Sequence, residues 1–182
     1  MAENDTLILV DRHDKEIGHE SKQNVHDGKG LLHRAFSILI VNSRGEMLLQ
    51  QRAATKRLWP LYWANACCSH PRKGEDINDA IHRRLQEELG FDCKLDYLYQ
   101  FEYHASFKDE GSEHELCYVF LGKYDDKIVP NKEEVNQLRF IALDALEQDL
   151  KENPGKYAPW FILEIQELFK HYRNQLGEKV QA

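Results

Sequence analysis

A vicinal pair, Cys67 and Cys68, stands just before His70 in "NACCSHPRKGE", residues 65–75. Such residues serve three chemistries: metal binding, half a disulfide, or a thiol that moves protons or attacks. Adjacent cysteines do not readily bridge each other, and the four cysteines (Cys67, Cys68, Cys93, Cys117) form no C-x-x-C pair. Reduced thiols are therefore expected. A second signal is Glu88. At about 100° per residue, Ile77, Ala80, Ile81 and Leu85 form one apolar stripe of a helix. Arg84 and Glu88 fall inside that stripe, while Arg83 and Glu87 flank it. An exposed i, i+4 ion pair would add only roughly 0.2–0.5 kcal/mol. A lone carboxylate among apolar groups is costly to desolvate, so Glu88 calls for a partner, a metal or both. The third signal is "SEHELCYVF", in which Glu113 and Glu115 share one face of a strand, with Cys117 continuing their line. Leu116, Tyr118 and Phe120 form the opposite face; a solvated edge would give the same glutamate pattern. His26, His33 and His70 are far apart in sequence, and isolated histidines serve as surface or capping residues as readily as ligands.

These residues need elements to hold them. "TLILVD" reads as a strand, and "AFSILIVNSRGEMLLQQR" as a strand–turn–strand hairpin turning at Asn42 to Gly45. "YLYQFEY", "HELCYVFLGKY" and "LRFIAL" are further strands. "DINDAIHRRLQEELG" is a helix capped by Asp76 or Asn78 and stopped by Gly90. Two more helices follow, "LDALEQDLKEN", ended by Pro154, and "PWFILEIQELFKHYRNQL". In the latter, Phe161, Ile165, Leu168 and Phe169 form a core-facing side. Strands at the front and helices at the end give an α+β class, a mixed sheet packed by helices.

The 182 residues fit a single domain, 1–182, with the first twenty or so peripheral and the last helix packed on the core. The formal net charge of −7 excludes broad binding to nucleic acid or anionic membrane. An anionic ligand must therefore meet a local cluster of cations. The acidic opening "MAENDTLILVDRHDKE" is not a secretory signal, and no run approaches 18 apolar residues. A cytoplasmic protein without membrane or nucleic-acid partners is expected.

"HPRKGEDINDAIHRRLQEELGF" resembles the Nudix box, G-x5-E-x7-R-E-U-x-E-E-x-G-U, where U is a bulky aliphatic residue. Glu75, Arg83, Leu85, Glu87, Glu88 and Gly90 match it, with Phe91 in the last apolar slot. Ser69 replaces the first glycine, and Arg84 replaces the first glutamate of the R-E pair. In Nudix hydrolases that glutamate helps hold the metals that cleave a diphosphate, so a cation there suits gripping one better than breaking it.

The wider set "H…LLHRAFS…CCSHP…SEHELCYVF" closely resembles the type 1 isopentenyl-diphosphate delta-isomerase family, from about Lys22 to Trp160. "RAATKRLWPLYWANACCSHP" is similar to that family's R-x3-K-x2-W-P-x2-W-x4-C-x-H-P stretch. The resemblance implies a Nudix-like fold of mixed β-sheets packed between helices. It implies interconversion of isopentenyl and dimethylallyl diphosphate, a small-molecule substrate. His26, His33, His70, Glu113 and Glu115 would bind one divalent metal, and more than four such ligands suit zinc, manganese or iron. Glu88 and the backbone carbonyl of Cys68 would hold a magnesium ion that bridges to the diphosphate. Shifting a double bond adds a proton at one carbon and removes one from another, through a tertiary carbocation or something close to it. By resemblance Cys68 and Glu115 carry those protons, with Tyr103 beside Glu115, and Cys67 merely packs. The indoles of Trp160 and Trp63 would steady the cation by ~0.5–2 kcal/mol, while Trp59 belongs to the core. Lys22, Arg52, Lys56 and Arg84 match the family's cations around the diphosphate. The rival readings are a Nudix hydrolase of a nucleoside diphosphate derivative, which Arg84 disfavours, and a metal-stabilised binding module without catalysis.

Overall fold

A computed structural model describes residues 5–181; the first four residues of the acidic opening, and residue 182, lie outside the described residues. The chain runs β1 (Thr6–Val10), β2 (Glu16–Ser21), α1 (Lys22–His26), β3 (His33–Val41), β4 (Glu46–Arg52), β5 (Trp63–Ala64) and β6 (Cys67–Ser69). It continues through α2 (Ile77–Leu89), β7 (Leu95–Phe107), β8 (Gly111–Lys123), β9 (Val135–Ala142), α3 (Leu143–Glu152), a 3-10 turn, α4 (Pro159–His171) and α5 (Arg173–Gln181).

The central strand is β3. It runs parallel to β8 over its whole length, from His33 beside Glu115 to Val41 beside Lys123. Its other edge is taken by β6 at Phe36–Ile38 and by β1 at His33. β3 is buried almost throughout because both of its faces are covered. Ala35, Leu39 and Val41 pack into a cluster with Phe161, Ile165 and Leu168 of α4. Phe36, Ile38 and Ile40 point the other way, onto Ala80, Ile81, Leu85 and Leu89 of α2. Each large side chain buried this way contributes about 1.5–3 kcal/mol. The α+β sandwich read from the sequence is the fold observed.

Three local readings change. The expected hairpin of "AFSILIVNSRGEMLLQQR" pairs only at Val41 and Met47. Beyond the turn the strands part, because β6 takes that edge of β3 at Phe36–Ile38 and β5 takes that edge of β4 at Gln50 and Gln51. The single last helix is two, broken at Tyr172, whose ring leaves the helix to stack on Tyr99 at 4.7 Å. The segment between the first strand and His33 holds β2 and the short helix α1, neither of which was expected. Ser21 caps α1 by accepting from the Asn24 amide.

Candidate active site

Register brings the chemistry together. The parallel β3–β8 pairing sets His33 beside Glu115, and the β7–β8 hairpin sets Tyr103 beside Glu115 and Ala105 beside Glu113. On the other edge of β3, Cys68 lies opposite Ser37, which carries the chain on to His70 at the His33 end. α1 presents Lys22 and His26. Its approach to β8 depends on Gly111 (φ 150°): a Cβ there would collide with the backbone oxygen of His26. Sequence gave no warning of that contact.

His26, His33, His70, Glu113 and Glu115 are all buried, with one ligand atom from each within 4.8 Å of the others. Nδ1 of His26 lies 2.6 Å from the Lys22 carbonyl, and Nδ1 of His33 lies 2.8 Å from the Leu31 carbonyl. A carbonyl only accepts, so each Nδ1 carries the hydrogen and each Nε2 turns a lone pair inward. His26 Nε2, His33 Nε2 and Glu113 Oε2 have no hydrogen-bond partner although buried. His26 Nε2 and Glu113 Oε2 are nevertheless 2.7 Å apart, and with the hydrogen on Nδ1 both are acceptors. Buried polar atoms are rarely left this way. A divalent cation at their convergence would satisfy them, so the residues fit a metal. Burial, then the neighbouring His33 and His26, push the His70 imidazole well down, toward the neutral form that ligates.

The cluster opens into a cleft of about 1200 Å³ whose walls include Lys22, Arg52, Lys56, Cys68, Arg84, Glu88, Tyr103 and Trp160. Cys67, one residue away, is fully buried in the α2-side core. The reactive-thiol reading thus falls on Cys68, whose sulfur lies 4.0 Å from Nη1 of Arg52. Burial pushes the Cys68 thiol well up, and Arg52 offsets this only in part, so a proton stays on sulfur at neutral pH. Glu115 accepts from the Tyr103 hydroxyl at 2.7 Å and lies 2.9 Å from His70 Nε2. Burial raises its carboxyl, but His33 and Tyr103 together hold it below the usual range.

On α2, Arg84 and Glu88 are both 3% exposed and paired with each other, which resolves the misplaced carboxylate on the wheel. Arg84 also reaches Glu87 at 2.6 Å and Glu134 at 3.3 Å. Trp160 lines the cleft with the Arg52 guanidinium 5.2 Å over its ring. Trp63 is not among the lining residues, and Arg139 covers its ring at 4.4 Å. The structure therefore brings one of the two expected indoles to the cleft. Trp59 packs in the core as expected.

The NUDIX domain family matches residues 31–161. Isopentenyl-diphosphate Delta-isomerase 2 of Photorhabdus laumondii is 44% identical over 155 residues, covering 85% of this chain and 87% of that protein. Isopentenyl-diphosphate Delta-isomerase of Serratia proteamaculans is 42% identical over 162 residues, covering 89% and 90%. The chain belongs to the isopentenyl-diphosphate Delta-isomerase family.

Solved structures add the fold alone. A Deinococcus radiodurans protein superposes with a TM-score of 0.74 at 15% identity, covering 89% of this chain and 98% of that one. A MutT protein from Methanosarcina mazei gives 0.62 at 19% identity, covering 78% and 95%.

Within this isomerase-family chain, sequence reading passed over three buried polar residues. Asn65, fully buried, donates to the Cys67 carbonyl at 2.6 Å and accepts from the Trp160 indole at 3.2 Å, tying the cysteine strand to the cleft's indole. Gln50 donates to Glu88 at 3.4 Å. Glu164, on the helix assigned to packing alone, is fully buried and accepts from Ser37, the residue opposite Cys68. Each is a buried polar side chain, as Glu88 is, but only Glu164 stands on a helix face whose apolar pattern signals it.

Proposed function

We propose that this chain, as one Nudix-like domain over residues 1–182, interconverts isopentenyl diphosphate and dimethylallyl diphosphate. The observation that carries the reading is one cleft lined by the Cys68 thiol, the Glu115 carboxylate of the buried His/Glu cluster and the Trp160 indole. The relatives' shared name gives the reaction that needs all three. Lys22, Arg52, Lys56 and Arg84 grip the diphosphate, which holds the allylic carbons near both proton carriers. Glu115 and Cys68 exchange roles with direction: one adds a proton to the terminal or internal alkene carbon, the other removes one from C2 or C4. Tyr103 steadies the Glu115 carboxyl through its hydroxyl. Between the two transfers, positive charge develops near C3, and the Trp160 face lies where a cation is favoured. Water must be kept from that carbon, and Leu58 and Trp160 are the large apolar side chains that line the cleft.

His26, His33, His70, Glu113 and Glu115 would hold a divalent manganese, zinc or iron ion, which would make a protonated Glu115 carboxyl a stronger acid toward the substrate carbon. Glu88 and the Cys68 carbonyl would hold a magnesium ion that neutralises the diphosphate. The set of more than four imidazole and carboxylate donors differs from the closed four-ligand sets of structural zinc. The partner is this small substrate; among the described residues no helix is long and apolar enough to cross a membrane. Reduced cysteines suit a cytoplasmic setting.

Hydrolysis is the competing chemistry of the fold. Arg84 stands where the hydrolase pattern has a glutamate, and it neutralises Glu87 and Glu88. Incubation with isopentenyl diphosphate, manganese and magnesium should yield dimethylallyl diphosphate and no free phosphate. Phosphate release, or unchanged substrate with all metals supplied, would contradict the proposal.

A further inference from the structure

Three cations from three elements meet at one end of the cleft: Lys22 on α1, Lys56 on the loop after β4, and Arg84 on α2. Burial, then the charges of Lys56 and Arg84, lower the Lys22 ammonium, so these groups feel one another. Left alone, such a cluster repels itself. It is not left alone. Glu134, from the turn before β9, pairs through Oε2 with Lys56 and through Oε1 with Arg84 Nη2 at 3.3 Å. Its side chain is only 12% exposed.

Backbone bonds fix this carboxylate in place. The Ala53 amide donates to the Glu134 carbonyl at 3.0 Å, and the Asn131 amide donates to the Glu88 carbonyl at 2.8 Å. The turn is thereby clipped both to the lysine loop and to the end of α2. A carboxylate with one oxygen on each of two cations reproduces the contacts that one phosphoryl group would make there.

We propose that Glu134 is the resident counter-anion of the diphosphate subsite and sets its specificity. This rests on the reading of the cleft as a diphosphate site. An entering anion must displace Glu134 from Lys56 and Arg84, or sit against its charge. A doubly phosphorylated group has enough charge and reach to do so, whereas a monophosphate or sulfate gains too little. Glu134 thus favours diphosphate esters over monoanionic and monophosphate ligands, and offsets the mutual repulsion of the cations when no substrate is bound. It touches the binding cations and not the reacting carbons, so it is a positioning residue.

The test is calorimetric binding of inorganic diphosphate and of inorganic phosphate to the full chain, without magnesium, for wild type, Glu134→Gln and Glu133→Gln. Glu133 lines the same cleft but makes no ion pair among the described residues, so it controls for net charge. Glu134→Gln should bind diphosphate about tenfold tighter, a change equivalent to about 1.4 kcal/mol, and should bind phosphate measurably. Glu133→Gln should change neither by more than about twofold. Equal tightening by both variants would overturn the inference, because general charge would then explain it. Weaker diphosphate binding by Glu134→Gln would overturn it too, as would weakening seen only when magnesium is added, which would make Glu134 a metal ligand. Should the glutamine variant be poorly folded, Glu134→Asp retains the charge but cannot span both cations, and an intermediate tightening is expected. If wild type binds no diphosphate at all, the diphosphate reading of the cleft fails. If it binds and Glu134→Gln is unchanged, only the counter-anion role fails.

Discussion

At the residue scale, the two cysteines are neighbours with different fates, since one is sealed in the core and the other faces the cleft. Cys68→Ala and Glu115→Gln should each lower kcat by more than about 100-fold, in the range of lost proton transfer, with KM little changed. Cys67→Ala should keep most of the activity; equal losses from both cysteine changes would show that the thiols act jointly. Glu164 gives a prediction about stability. Burial raises its carboxyl to about 8 in the folded chain, from an ordinary 4.5, with Ser37 pulling the other way and Glu115 adding to the rise. Cys68, Cys117 and Tyr99 also face its charge. Below pH 4.5 both states hold the proton. Between there and about 8 the unfolded chain releases it and the fold does not, so stability falls as pH rises. Above that the effect is constant. Glu164→Gln should therefore gain on wild type across that window, by on the order of 3 kcal/mol near pH 7. A difference that does not vary with pH in denaturant titrations would rule this out.

At the element scale, the site depends on how strands are paired, and this is where sequence reading reached its limit. The alternation in "SEHELCYVF" correctly put Glu113 and Glu115 on one face, and the wheel correctly found Glu88 and Arg84 on the buried side of α2. The cap and stop of that helix were also legible: the Asp76 side chain accepts from the Asn78 amide, and Gly90 ends it with φ 73°. Side-chain periodicity says nothing, however, about which strand lies beside which. It could not reveal that β3 pairs along its whole length with β8, the pairing that sets His33 against Glu115. The helix bearing Lys22 and His26 is only five residues long, too short for a periodic signal. Gly111 decides where that helix lies. Gly111→Ala should push α1 off β8 and weaken the metal site. Chelation should lower the wild-type melting temperature by about 5–10 °C, reversibly on adding manganese, while Gly111→Ala should show a much smaller metal-dependent rise. A wild-type melting temperature indifferent to both chelator and metal would contradict the buried metal centre.

At the scale of the whole molecule, one fold serves cleavage in some proteins and double-bond migration in others. Solved structures of the same fold share only 15–19% identity with this chain, so fold alone does not set the chemistry. In the proposed reading two local features redirect it. Arg84 would make the helix that holds cleaving metals in hydrolases part of a diphosphate clamp, and the β3–β8 pairing brings together a His/Glu cluster that could hold a metal, with Glu115 in the cleft beside Cys68. The apolar clusters on both faces of the sheet hold these two halves in register. The most direct measurement is solvent exchange: the metal-loaded protein is incubated with isopentenyl diphosphate in deuterated water and the product examined by NMR. Deuterium carried into dimethylallyl diphosphate by wild type, and lost in Cys68→Ala and Glu115→Gln, is the expected result. Product formed without solvent label, or label that survives both substitutions, would contradict a proton transfer carried by this thiol and this carboxyl.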